Sequence, residues 1–103
     1  MPDHAPLTET TYYILLSLYK PLHGYGIMQR AAELSGGRVR LAAGTLYGAL
    51  NALVDKGWIA LLPGEGRKKE FKLTPKGLEI LKKELARLRE LVASGDMVLK
   101  EEA

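Results

Sequence analysis

The stretch from Ala42 to Pro75, AAGTLYGALNALVDKGWIALLPGEGRKKEFKLTP, changes its hydrophobic period halfway along, and that change decides the fold. The first half places Leu46, Leu50, Leu53 and Val54 at three- and four-residue spacing, the core-facing stripe of a helix running from about Ala42 to Lys56. Gly57 follows at the C-cap position, where the chain commonly turns through a left-handed backbone that glycine adopts freely. From Trp58 the period drops to two. Trp58–Leu62 and Arg67–Leu73 read as strands joined by Pro63-Gly64-Glu65-Gly66, with Phe71 and Leu73 on one face and Lys68, Glu70 and Lys72 on the other. Thr74-Pro75 restarts a helix, because threonine suits the N-cap and proline the first helical position.

Upstream, Leu7–Leu18 reads as a first helix with Thr8 as N-cap and Leu7 as a hydrophobic staple. Lys20-Pro21-Leu22-His23-Gly24 breaks it, since proline disfavours helical geometry at the residue before it. A second helix carries Ile27, Met28, Ala31 and Leu34 on one face and stops at Gly36-Gly37; a short extended piece, Arg38–Leu41, leads into the third. Downstream of Pro75, Leu78, Leu81, Leu85, Leu88 and Val92 form a heptad-like seam, with Glu79 and Lys83 paired on the opposite side. At about 100° per residue, Ile80, Leu91 and Val98 fall on a second stripe beside it. That apolar arc is wider than one small core needs, and Pro75–Ser94 alone would reach roughly 30 Å as helix. A partner helix is the simplest cover, so a homodimer is expected. Gly95-Asp96 either ends this helix or bends it.

The expected fold is therefore mainly α with a small β-hairpin (α+β): three helices and a wing, a winged helix-turn-helix, followed by a C-terminal dimerisation helix. All 103 residues are assigned to a single domain, about 7–74 forming the core and wing and about 75–99 the dimerisation helix. A chain this short with 47% hydrophobic residues suits one core. It has no cysteine, which removes disulfides, thiolate zinc sites and thiol nucleophiles together. Met1–Pro6 has neither the basic residues nor the apolar region of a secretory leader, and no apolar run approaches a membrane span, so a cytoplasmic protein is expected.

Fifteen Lys plus Arg against twelve Asp plus Glu, a net charge of +3, permit a polyanionic partner, and the distribution matters more than the sum. Arg38 and Arg40 precede the third helix, Arg67-Lys68-Lys69 sit in the wing turn, and the charges from Lys76 to Glu90 mix signs as a solvated helix face does. With Leu46, Leu50 and Leu53 turned inward, the outer face of the third helix is Thr45, Gly48, Ala49, Asn51, Ala52 and Asp55. Thr45 and Asn51 are its candidate base readers, and the small residues let the helix backbone approach a duplex closely. A bare helix followed by a cationic wing points to double-stranded DNA, although alanines also favour a plain solvent-facing helix and short charge runs often only solvate a turn. Specificity would lean on wing, half-site spacing and DNA shape.

Nothing suggests an enzyme, a metal or another cofactor: there is no nucleophile–base pair at interpretable spacing and no cluster of carboxylates. His23 and His4 have no thiol or acidic companions and read as packing or surface residues. Trp58 reads as core in preference to an effector-stacking residue, and Met28 and Met97 as gap-fillers. Gly24 and Gly26 do not form a phosphate loop, for no strand, lysine or hydroxyl accompanies them in the required order.

Taken together, His23-Gly24-Tyr25-Gly26-Ile27, Gly44-Thr45-Leu46-Tyr47-Gly48-Ala49-Leu50 with Leu53 and Lys56-Gly57, and Arg67-Lys68-Lys69-Glu70-Phe71-Lys72-Leu73-Thr74-Pro75-Lys76-Gly77 resemble the PadR family of transcriptional regulators, in its smaller subgroup with a single helix after the wing. The resemblance implies a homodimer clasped through terminal helices, repression of a nearby gene through a pseudo-palindromic operator, and in some members release by a small aromatic or drug-like ligand. It further implies that Tyr25 and Tyr47 touch the DNA backbone, that Thr45 stands at the DNA-facing start of the recognition helix, and that Arg67–Lys69 form the wing. Ala42 and Ala43 stand where the family often has serine and proline, Gly48 replaces a larger residue, and Phe71 replaces a wing tyrosine. The alternative is a winged-helix module that binds protein and never touches DNA.

Overall fold

A computed structural model describes residues 5–101, apart from the side chain of Arg67. The element order is α1 (Glu9–Ser17), β1 (Leu22–His23), α2 (Gly24–Leu34), α3 (Ala43–Asp55), β2 (Ile59–Leu61), β3 (Glu70–Leu73) and α4 (Pro75–Lys100), with a single 3-10 turn, Gly66–Lys68, in the wing. Thr8 caps α1 as expected, its hydroxyl accepting the Thr11 N–H at 3.1 Å. Such a cap contributes about 1 kcal/mol.

α1, α2 and α3 wrap one apolar cluster to which Ile14, Leu15, Leu18, Ile27, Leu46, Leu50 and Leu53 contribute; Ile59, Phe71, Ile80 and Leu81 close it from the sheet and α4. Two residues expected on core-facing stripes stand out of it: Val54 is 37% exposed and Leu34 38%. Both lie in the last turn of their helices.

The sheet is three-stranded and antiparallel, in the order β1-β3-β2. Its third strand was not expected: Leu22 pairs with Phe71 and His23 with Glu70, so the segment read as a break is an edge strand. The wing strands are also shorter than their sequence pattern suggests. Ile59 pairs with Leu73 and Leu61 with Phe71, but Gly66, at φ 62°, turns the chain into the 3-10 turn before Lys69. Arg67 and Lys68 therefore lie in the turn and not on a strand.

The wing joins α4 through a tight corner. Gly57 takes φ 77° after α3; the Thr74 hydroxyl donates to the Gly57 carbonyl at 2.6 Å and accepts the Gly77 N–H at 3.1 Å. The Thr74 N–H donates to the Trp58 carbonyl at 3.1 Å. That carbonyl lies so close to Gly77 that a β-carbon there would overlap it, which is the physical reason for glycine in the Leu73-Thr74-Pro75-Lys76-Gly77 turn.

α4 runs unbroken through Gly95 to Lys100, so Gly95-Asp96 neither ends nor visibly interrupts it; a helix of 26 residues is about 39 Å long. Only its first turns are packed. Ile80 and Leu81 are 7% and 6% exposed, whereas Leu91, Val92, Val98 and Leu99 are 55% to 63% exposed. One charge on this helix is not solvated as expected. Glu84 is 1% exposed, accepts the Leu7 N–H at 3.0 Å and is gripped bidentately by Arg87 at 2.7 Å. That hydrogen bonding holds the Arg87 guanidinium even more firmly protonated than usual, against the opposing effect of desolvation. Burial raises the Tyr12 phenol above its ordinary value; the charges of Tyr13 and Glu84 add to the rise and that of Arg89 opposes it.

Candidate nucleic-acid interface

α2 and α3 form the helix-turn-helix pair, and the turn between them is built by Ser35. Its hydroxyl accepts the Val39 N–H at 2.9 Å and donates to the Ala32 carbonyl at 3.2 Å. Gly36 and Gly37, at φ 64° and 87°, carry the chain through the left-handed region, and Val39, 6% exposed, pins the loop to the body. Arg38 and Arg40 flank this anchored residue and both are exposed. Arg38 is already engaged: its guanidinium donates to both carboxylate oxygens of Glu9 on α1, at 3.0 and 2.8 Å. Arg40 folds back over Gly37.

α3 then starts without a side-chain cap, since Ala42 offers no acceptor to its first N–H groups. Ala43 and Gly44 are exposed, and so are Thr45, Gly48, Asn51, Ala52 and Asp55; Ala49 is half-buried. The outer face is as bare as its sequence implies, and no side chain caps its first amides.

The tyrosines stand where α3 meets α2. Tyr47 is 42% exposed and Tyr25 62%. The Tyr47 hydroxyl lies against Gly24, at the start of α2, in the space that a β-carbon would take. His23 is half-buried and its ring packs over Gly26, near enough that an added β-carbon would lie 3.1 Å from Nδ1. It is a packing residue of the His23-Gly24-Tyr25-Gly26 turn. His4 lies outside the described residues.

In the wing, Lys68 and Lys69 are exposed and carry no ion pair among the described residues; the Arg67 side chain is outside the description. Trp58 is half-buried against the core, and its ring carries the Lys56 ammonium at 4.7 Å from the centroid.

The seam expected for dimerisation divides in two. Leu81 packs into the protomer's own core. Leu78, Leu85 and Leu88 are half-buried and Val92 is open. The stripe continues through Leu91, Val98 and Leu99, all exposed; Leu99, one heptad beyond Val92, could have been found by extending the same periodicity past Gly95. Glu84 was missed because a glutamate on a mixed-charge helix gives no sign of burial.

Among the described residues, no group of three or more His, Cys, Asp or Glu side chains could hold a metal ion, and no helix is long and apolar enough to cross a membrane.

Helix-turn-helix, three-stranded wing and terminal helix define a winged helix-turn-helix protein. Residues 14–83 match the family described as transcriptional regulator PadR-like, and the chain belongs to that family. A PadR-like transcription factor from Bacteroides fragilis shares the fold with a TM-score of 0.71 and 29% identity, over 84% of this chain and 86% of that one. PadR of Bacillus subtilis, solved in complex with operator DNA, matches with a TM-score of 0.65 and 29% identity over 79% of this chain and 48% of that one. In sequence, 64 residues are 45% identical to an uncharacterized 37.1 kDa protein in transposon Tn4556 of Streptomyces fradiae; the match covers 62% of this chain but only 18% of that protein.

Proposed function

We propose that the chain is a sequence-specific, DNA-binding transcriptional repressor that acts as a homodimer. The observation that carries this reading is the outer face of α3, exposed and nearly free of long side chains, with uncapped amides at one end. Such a surface can enter a major groove to backbone depth. Thr45 and Asn51 read base edges; Tyr25, Tyr47, Arg40 and the α3 amides hold phosphates; Arg67, Lys68 and Lys69 reach the adjacent backbone. Arg38 joins them only by leaving Glu9. A family relative solved on operator DNA supports the same partner.

The apolar continuation of α4 from Leu85 to Leu99 supports the dimer, since a stripe of this length on a monomer would lie open to water. Two copies joined there would present α3 to successive major grooves, roughly 34 to 36 Å apart, on a pseudo-palindromic operator. Release by a small apolar or aromatic effector completes the proposal.

The test is a fluorescence-anisotropy titration, at several salt concentrations, of oligonucleotides selected from a random pool. Affinity should fall steeply, with a log–log slope of about −0.9 per neutralised phosphate, and Lys68→Gln with Lys69→Gln should flatten that slope by roughly 2. Absence of any duplex binding at low salt sinks the reading.

A further inference from the structure

Ala43–Asp55, the whole of α3, contains no Arg, Lys, His, Gln or Glu. The commonest specific contact to guanine is bidentate, from Arg or Lys to O6 and N7 in the major groove, and α3 has no side chain that can make it. The preceding loop does not supply one either. Arg40 folds back over Gly37, and Arg38 is held by Glu9 at 2.8 and 3.0 Å.

At about 100° per residue, Gly44, Gly48 and Asp55 lie along the line opposite Leu46, Leu50 and Leu53, and all three are exposed. A β-carbon at either glycine would meet nothing within 4 Å, so the centre of this face is backbone that can lie close to base edges. Thr45 and Ala52 flank that line on one side and Asn51 on the other. Asp55, the last residue of the helix, bounds the face, because its carboxylate repels phosphates and confines close approach to the turns before it.

The chemistry on the two flanks is that of an A·T pair. An asparagine amide donates to adenine N7 while its oxygen accepts from the N6 amine, whereas guanine offers two acceptors there and leaves that oxygen unpaired. The Thr45 methyl and the Ala52 β-carbon are apolar surfaces for the thymine C5 methyl, which cytosine lacks. Neither Thr45 nor Asn51 is hydrogen-bonded through its side chain among the described residues, so both are available to a base.

We propose that the base pairs beneath α3 in each half-site are A·T, with adenine held by Asn51 and thymine methyls packed against Thr45 and Ala52. This rests on the DNA reading and assigns it a class of base.

The duplex that the full chain selects from a random pool is resynthesised with one analogue at a time. Deoxyuridine for thymidine removes only the methyl group; 7-deazaadenine and 7-deazaguanine each remove the N7 acceptor. In anisotropy titrations, at least one 7-deazaadenine per half-site should weaken binding by about fivefold, and at least one deoxyuridine by about threefold, while 7-deazaguanine within the half-sites changes it by less than about twofold. Asn51→Ala should erase the 7-deazaadenine effect, and Thr45→Ser, which keeps the hydroxyl and loses the methyl, should erase a deoxyuridine effect. Both positions are exposed, so circular dichroism should not change. A loss centred on 7-deazaguanine, indifference to the other two analogues, or effects that survive in the variants overturns the proposal while binding of the unmodified duplex leaves the DNA reading intact. Failure to bind any unmodified duplex removes both.

Discussion

The Tyr47 hydroxyl occupies the space that a side chain at Gly24 would need. Two short motifs that lie far apart in the sequence are thus one contact, in which the absence of a side chain on α2 allows a ring on α3 to lie over its first turn. Gly24→Ala should push the ring outward. Because Tyr47 is partly exposed, the ring can yield, and the fall in Tm should stay within a few degrees, about what 1 kcal/mol produces in a domain of this size. DNA affinity should fall by roughly fivefold to tenfold, since the phenol no longer points where the backbone contact is proposed. Thermal melts paired with anisotropy titrations check both; unchanged affinity would detach Tyr47 from DNA.

Gly77 has no such latitude. A β-carbon there meets the Trp58 carbonyl, part of the backbone, and a backbone atom cannot swing aside as a ring can. Gly77→Ala should destabilise the fold by about 2 kcal/mol, in the range for overpacked sites, and lower Tm by roughly 10 °C. Calorimetry that finds wild-type stability would show that the corner relaxes freely.

The start of α3 offers a gain in stability. Ala42 already has the extended backbone of an N-cap, φ −74° and ψ 151°, but no acceptor side chain. Ala42→Ser should stabilise the protein by about 1 kcal/mol, raising Tm by roughly 5 °C. It should also weaken DNA binding modestly if those amides hold a phosphate, because the serine oxygen competes for them. Denaturation and binding measured on the same preparation separate the two effects.

Most of the architecture was legible because long elements announce their period. Leu46, Leu50 and Leu53 defined α3, Phe71 and Leu73 the inner face of the wing, and Thr74-Pro75 the start of α4. The departures share one physical origin: they depend on partners distant in sequence. Leu22-His23 is a strand only because β3 lies beside it. Glu84 is buried because the N-terminal arm crosses over it and supplies a backbone donor. Leu81 faces the protomer's core because α1 passes beneath the first turns of α4, a crossing that heptad spacing cannot reveal. For the proposed DNA-contacting side chains, residue type was readable, but the prior engagement of Arg38 with Glu9 was not.

The free stripe on α4 supplies a final expectation. Leu91→Lys with Val98→Lys should convert a dimer to a monomer, read as a halved mass in light scattering, while circular dichroism retains the helical signal. Both positions are exposed in the protomer, so the folded unit should tolerate them. A wild-type protein that is already monomeric at micromolar concentration would refute the dimer.

The Thr74 corner has a mechanical consequence. With the Gly57 carbonyl fastened to the Thr74 side chain and the Trp58 carbonyl to its amide, the tail of α3, the base of the wing and the root of α4 are welded into one joint without a hinge. With α4 rooted in this corner, a tilt of α4 near Lys100 should be felt at the helix bearing Thr45 and Asn51, an expectation that hydrogen-exchange protection at Thr74 and Gly77 would check.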